Sequence, residues 1–169
     1  MSGYATEGWS DLFVCAGGAT AALSGLIFVS LSVNLRTLLD TDNSDGSNLL
    51  TGRAMEALAA LLTVLAISIV ALTPGIGRGV LSAFILFTAA GSMVSPVRAV
   101  QASRGLGRPG MAMLLRLATA IALTVTLLAS GVTLAAGSGG GLLWLPAAFV
   151  VAITVAAINA WVLLVEVMR

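Results

Sequence analysis

Five stretches of the chain are apolar over a length that can cross a membrane as an α-helix, and this pattern constrains the fold more than any other feature. Crossing about 30 Å of hydrocarbon takes about 20 residues at a rise of about 1.5 Å per residue. The five stretches cover residues 12–33, 54–72, 80–97, 111–136 and 142–165. The chain is 59% hydrophobic and only 9% charged, which is far more apolar than a soluble domain. We therefore predict an all-α membrane protein, a bundle of five transmembrane helices in a single domain over residues 1–169.

The connections between these stretches are of two kinds. The sequences "TPGIGRG" at 73–79 and "GSGGG" at 137–141 are short and rich in glycine, which ends a helix and turns the chain back sharply. The connections at 36–53 and 98–110 are longer and polar. We expect the two long segments to lie on one side of the membrane and the two tight turns on the other.

The arginines predict which side is which. All eight cations of the chain are arginines, and positive residues near span ends are retained on the cytoplasmic side. Only Arg78 lies beside a tight turn. The arginines on the opposite side are Arg36, Arg53, Arg98, Arg104, Arg108, Arg116 and Arg169. We therefore expect the N-terminus outside and the C-terminus inside, and we expect the first span to remain uncleaved because its leading segment carries acids and no base.

Small residues recur at helical spacing in the first and the fifth span. Such ridges let two helix backbones approach closely, which in lipid is a main source of helix association. The spacing leaves open whether these ridges pack within one chain or between chains, and packing within the chain is favoured because every helix of a bundle needs neighbours. The predicted helix-packing residues are Gly17, Gly18, Ala21 and Gly25, with Ala22 beside them, and Ala148, Ala152, Ala156 and Ala160.

Polar side chains collect near the ends of the spans on the arginine-rich side. Opposite charges in one layer can neutralise each other at a depth where either alone would be costly. Two interpretations stay open: Asn159 fixes helix register while Glu166 pairs with Arg98 or Arg116, or Asn159, Glu56 and Glu166 line an ion or proton path. The predicted inner polar layer comprises Arg36, Glu56, Arg98, Arg116, Asn159 and Glu166.

Little else in the sequence indicates chemistry. Histidine is absent, and no dense basic run is present, so we expect neither imidazole catalysis nor binding to nucleic acid. Cys15 is expected to be a small buried hydrophobic residue, and hydroxyl side chains within the spans are expected to bond to their own helix backbones. We therefore expect no catalytic residue, no cofactor and no enzyme activity.

The sequence "DTDNSDG" at 40–46 resembles the opening of a calcium loop but lacks its later positions. A loop that starts at Asp40 needs glycine at its sixth place and glutamate at its twelfth, and those places hold Asp45 and Thr51. We therefore interpret this segment as a solvated acidic turn and predict no metal site.

Three segments carry a resemblance to other proteins. The sequences "GWSDLFVCAGGATAALSGLIFVSLSVNL", "GRAMEAL" and "GLLWLPA" with "NAWVLLVEVMR" resemble a group of uncharacterised small multispan integral membrane proteins of actinobacteria and other bacteria. Leu12 and Leu143 depart from the aromatic residues expected there. The resemblance implies a multi-pass protein of the bacterial inner (cytoplasmic) membrane, and it implies no activity.

The function expected from these features is non-enzymatic. We expect a structural or accessory membrane protein that contacts membrane lipids and forms a homo-oligomer or belongs to a larger membrane complex. The alternative is a homo-oligomeric channel or transport component, in which several copies build one pathway.

Overall fold

A computed structural model describes residues 6–45, 49–94, 97, 101, 111–137 and 140–167, with side-chain environments for 8–33, 52–94, 97, 101, 114–137 and 140–161. Within these ranges the chain is helical and contains no strand. One 3₁₀ turn, Thr6–Trp9, precedes the first helix, and another, Gly141–Leu143, precedes the last. The helices are α1 (Ser10–Asp45), α2 (Leu49–Leu72), α3 (Arg78–Ser92), α4 (Met111–Ala136) and α5 (Trp144–Val167).

Four of these helices are long and apolar enough to cross a membrane. Their apolar segments are Ser10–Val33, Gly52–Leu72, Leu114–Ala136 and Gly141–Trp161. The all-α fold is thus confirmed, and the chain has the helices of a multi-pass membrane protein. α3 is shorter, with 15 residues.

The long connection predicted between the first two spans is mostly helical. α1 continues to Asp45 and α2 already begins at Leu49, so both helices extend well into the predicted loop of residues 36–53. The expected acidic turn is therefore wrong for Asp40 to Asp45, which belong to α1. No proline or glycine interrupts the chain between Leu26 and Asp45, so nothing in the backbone chemistry stops the helix at the membrane boundary.

The proline four residues later explains why the regular part of α3 ends at Ser92. Pro96 has no N–H to donate to the carbonyl of Ser92, the last residue of α3. Met93 tightens the turn by donating its N–H to Ala90 at 3.3 Å, and the N–H of Val97 donates to the carbonyl of Met93 at 3.2 Å. Helical hydrogen bonding therefore resumes beyond Ser92.

The helices pack as two antiparallel pairs joined by α5. α2 packs mainly on α1 and α5, α3 packs mainly on α4, and α2 makes few contacts with α3. Because successive helices alternate in direction, the starts of α2 and α4 meet the ends of α3 and α5. We call this end of the bundle, which carries Arg53, Glu56 and Arg116, the charged end, and the opposite end the packed end.

The packed end holds most of the core. The rings of Phe13 and Phe149 meet edge to face with centroids 6.2 Å apart. Beside them, buried Ser130 of α4 donates its hydroxyl to the carbonyl of Gly141 at 2.8 Å and so fixes the turn into α5. A methyl group at Gly141 would lie 2.8 Å from the backbone nitrogen of Leu134, so only glycine allows this approach.

Large apolar side chains cover the outside of the bundle. Leu26, Phe28, Phe87 and Val150 are each more than three-fifths exposed, and they belong to three different helices. Exposed apolar area of this extent is costly in water but favourable against lipid chains. The surface thus agrees with the four membrane-crossing segments.

Candidate functional site

An ion pair joins α2 to α4 at the charged end. The Nε of Arg116 donates to the two carboxylate oxygens of Glu56, at 3.1 Å to Oε1 and 2.8 Å to Oε2, and its Nη2 also donates to Oε1. The side chains are 25% exposed for Arg116 and 14% for Glu56. This forked geometry is the strongest form of an arginine–carboxylate contact, and partial burial reduces its screening by water.

The ion pair lies in the wall of a cavity between α2, α3, α4 and α5. The cavity has a volume of about 550 Å³. Along α2 it extends from Arg53 to Thr63, which is about 15 Å of helix axis. Its lining residues are Arg53, Glu56, Ala59, Ala60 and Thr63 of α2, Phe87, Thr88, Gly91 and Ser92 of α3, Leu115, Arg116, Thr119, Ala120 and Leu123 of α4, and Val155, Ile158 and Asn159 of α5.

Asn159 is the most unusual polar group of this wall. It is only 8% exposed and faces the cavity, yet its amide makes no hydrogen bond to any residue whose side chain the structure describes. The sequence predicted that Asn159 would fix helix register through a bond across a close helix contact, and that bond is not found within the described part of the chain. The amide lies in the cavity wall with its donors and acceptor unused by the described residues, so it is available to a ligand in the cavity.

Hydroxyl groups complete the polar part of the wall. Ser92 of α3 lines the cavity, and its oxygen lies 2.7 Å from that of Thr124 of α4, which is outside the lining. Each oxygen also lies within hydrogen-bond distance of its own helix, Ser92 from Ala89 at 2.7 Å and Thr124 from Ala120 at 2.9 Å. The two hydroxyl groups have only two protons to donate in these three contacts. The bond between Ser92 and Thr124 therefore competes with the bonds to the backbone.

The structure brings together part of the predicted polar layer. Glu56, Arg116 and Asn159 all line the cavity. Arg116 pairs with Glu56, and the predicted pairing of Glu166 lies outside the described side chains. The backbone of Arg36 lies in α1 and that of Glu166 in α5, but their side chains lie outside the described residues, as does all of Arg98.

Arg53 is a lining residue that the predicted layer omitted. The sequence identifies Arg53 only as a positive charge near a span end. Because Arg53 and Glu56 are three residues apart, they share one face of α2. That spacing was the signal in the sequence that could have placed Arg53 in the same layer.

The two predicted small-residue ridges face different surroundings. On α5, Ala148, Ala152 and Ala156 are buried in the bundle and Ala160 is half-buried. On α1, Gly17 packs on α2, where an added methyl group would lie 3.2 Å from the Cβ of Ser68. The rest of the α1 ridge is exposed, namely Gly18, Ala21, Ala22 and Gly25.

Cys15 and two buried serines also differ from expectation. Cys15 is exposed on the outside of α1, so its expected burial is wrong. Many hydroxyls do bond to their own helix, as Thr20 does to the carbonyl of Ala16 at 2.7 Å. The hydroxyls of Ser24 and Ser68 are buried and have no partner within the described residues.

The described ionisable groups at the charged end can bind a charged ligand. These groups are one carboxylate and two guanidinium groups, and the carboxylate is held by Arg116. An arginine does not exchange its proton near neutral pH, so neither guanidinium can act as an acid or base. Within the part of the chain that the structure describes, no group of three His, Cys, Asp or Glu residues is placed so that it could hold a metal ion.

Comparisons of the chain with protein-family models, with curated proteins and with solved structures found no match.

Proposed function

We propose that this chain is a non-enzymatic structural or accessory protein of the bacterial cytoplasmic membrane, and that it associates with other membrane helices through α1. In this proposal the chain crosses the membrane five times, with its N-terminus outside and its C-terminus inside. The partner is a second copy of the chain or a larger membrane protein. The observation that carries the proposal is the exposed small-residue surface of α1.

That surface, the α1 outer face, comprises Gly18, Ala21, Ala22 and Gly25. A methyl group added at Gly18 or at Gly25 would meet no atom within 4 Å. Glycine inside a helix costs about 0.5–1 kcal/mol relative to alanine, and no contact within the described chain offsets that cost at these two positions. Close approach of a second helix does offset it, because small side chains let the backbones touch.

The position of α1 in the bundle agrees with this role. Its membrane segment is 28% buried, compared with 39% for the segments of α2 and α5. The segment of α1 is thus the least buried of the four membrane-crossing segments, and it has surface left for another helix. In a bilayer such a helix associates through packing and hydrogen bonds rather than through the hydrophobic effect.

The support for five crossings comes from α3. The support for the orientation comes from the arginines. α3 covers Arg78–Ser92, about 22 Å of apolar helix, and the N–H of Val97 bonds to the carbonyl of Met93 just beyond it. The charged end carries Arg53 and Arg116, and positive residues favour the cytoplasmic side. This supports an inner location for the charged end.

The test is the assembly state of the purified protein with an altered α1 outer face. In the double variant Gly18→Leu with Gly25→Leu, bulky side chains should hold a second helix away while the bundle itself stays folded. We expect native mass spectrometry of the gently extracted wild type to detect an oligomer or a complex of unequal stoichiometry. We expect the double variant to be detected as a single chain. Its melting temperature should equal that of the wild type.

The matched control is Ala83→Leu, the same kind of enlargement at an exposed position on α3. It should leave the assembly intact. A wild type that is a single chain after gentle extraction, or a double variant that assembles like the wild type, would refute association through α1.

A further inference from the structure

We propose that the cavity at the charged end is a binding site for an anionic amphiphile, a membrane phospholipid whose phosphate group contacts Arg53 and Asn159 while one acyl chain lies along the apolar wall. This site is separate from the α1 outer face, since Gly18, Ala21, Ala22 and Gly25 are not among its lining residues. The proposal therefore does not depend on the association through α1.

The charge of the cavity selects an anion. Among the described lining residues, Arg53 and Arg116 are cationic and Glu56 is the one acid. The forked contact from Arg116 balances the carboxylate of Glu56. Arg53 makes no ion pair with another residue of the described chain, so its guanidinium is available to a phosphate, which it can bind through two parallel hydrogen bonds.

Asn159 adds a second polar group to the cavity wall, from the neighbouring helix α5. The residue is more than nine-tenths buried, and its amide, which can both donate and accept hydrogen bonds, has no partner within the described residues. A phosphate oxygen can accept a hydrogen bond from this amide. An inorganic cation is a poor match, because the described lining holds more guanidinium groups than carboxylates.

The rest of the wall selects an apolar chain. Beyond the charged residues the cavity continues between Ala60, Leu123 and Val155 towards the middle of the bundle. Phe87 and Leu115 line the cavity and are 75% and 55% exposed, so they form an apolar edge of the cavity. An acyl chain can therefore pass between the cavity and the surrounding lipid without crossing a polar barrier.

The size of the cavity distinguishes an amphiphile from a small ion. Ligand pockets commonly measure about 300–1,000 Å³, and this one measures about 550 Å³. A phosphate ion alone would leave the apolar part empty. A phosphate group followed by a hydrocarbon chain uses both parts of the wall.

The test is a titration of the purified full chain in neutral detergent, with the melting temperature as the readout. Three additives are compared: phosphatidylglycerol, zwitterionic phosphatidylcholine and inorganic phosphate. We expect phosphatidylglycerol to raise the melting temperature in a saturable way, with a Kd at least about tenfold below that of phosphatidylcholine. Inorganic phosphate should have little effect.

Two variants locate the site. Arg53→Gln should raise the Kd for phosphatidylglycerol about 10–100-fold, because it removes a charged hydrogen-bonding group. Asn159→Leu should also weaken binding at least about tenfold, because it removes the amide and fills part of the cavity with an apolar group of similar size. Arg78→Gln is the matched control, since it removes the same charge at the packed end, and should leave the Kd within about twofold of the wild type.

Each other outcome overturns the proposal. Equal Kd values for the two lipids would mean that the phosphate charge is not recognised. Stabilisation by inorganic phosphate equal to that by phosphatidylglycerol would assign the site to a free anion. If Asn159→Leu fails to fold, Arg53→Gln still decides the matter, because unchanged binding in that variant places the lipid elsewhere.

Discussion

At the scale of single residues, the charged end shows what can and cannot be predicted from the sequence. Both Glu56 and Arg116 were placed in the inner polar layer, because both lie near helix starts on the arginine-rich side. Their contact across sixty positions of sequence could not be predicted. Helical periodicity indicates which residues share a face of one helix, and it does not indicate which neighbouring helix that face meets.

The ion pair should contribute measurably to stability. Glu56→Gln leaves the guanidinium of Arg116 without its carboxylate, and we expect a loss of about 1–3 kcal/mol in the free energy of unfolding, between the values for exposed and for buried pairs. The measurement is unfolding in detergent without anionic lipid. Adding Arg116→Gln should recover part of the loss, because it removes the uncompensated charge.

The control for this experiment is Asp11→Asn at the packed end. Asp11 is an exposed acid in the first turn of α1, and its loss should cost less than about 1 kcal/mol. If Glu56→Gln is as mild as this control, the forked contact contributes nothing to the stability of the bundle.

At the scale of helices, apolar length and glycine-rich turns were reliable guides. The fourth span was predicted at 111–136, and α4 has those bounds. The extension of α1 to Asp45 was missed because hydropathy indicates where a helix leaves the lipid and not where it ends. The sequence also could not predict which small-residue ridge would be buried. The buried alanines of α5 and the exposed small residues of α1 recur at the same spacing in apolar sequence.

The turn between α4 and α5 should tolerate no side chain at Gly141. In Gly141→Ala the new methyl group would lie within 3 Å of the backbone of Leu134, which cannot rotate away as a side chain can. We expect a loss of about 1–3 kcal/mol in the free energy of unfolding, as for other overpacked sites. Thermal and chemical unfolding in detergent measure this directly.

Gly79→Ala provides the comparison, because a methyl group there meets nothing within 4 Å and Gly79 belongs to α3. Alanine should be neutral or stabilise the helix by about 0.5–1 kcal/mol. Similar losses in both variants would mean that the close approach at Gly141 does not limit the turn.

At the scale of the whole molecule, the two ends of the bundle differ in packing. Aromatic rings and a tight turn fill the packed end, whereas the charged end encloses the cavity. The cavity reaches about halfway along α2, and buried side chains such as Val64 and Ile67 continue the helix beyond it. This asymmetry favours a binding pocket over a pathway through one chain. The arginines distinguish the two ends in sequence, but they could not predict that the charged end would enclose a cavity.

The most direct test of this account is the side of the membrane on which each connection lies. In a Cys15→Ala background, intact cells are treated with a membrane-impermeant thiol reagent after single substitutions Ser2→Cys, Ser47→Cys, Ser103→Cys or Ser138→Cys. Five crossings with the charged end inside predict labelling at positions 2 and 138 and protection at 47 and 103. Labelling at positions 2 and 103 with protection at 47 and 138 would mean that α3 does not cross, and it would contradict the account.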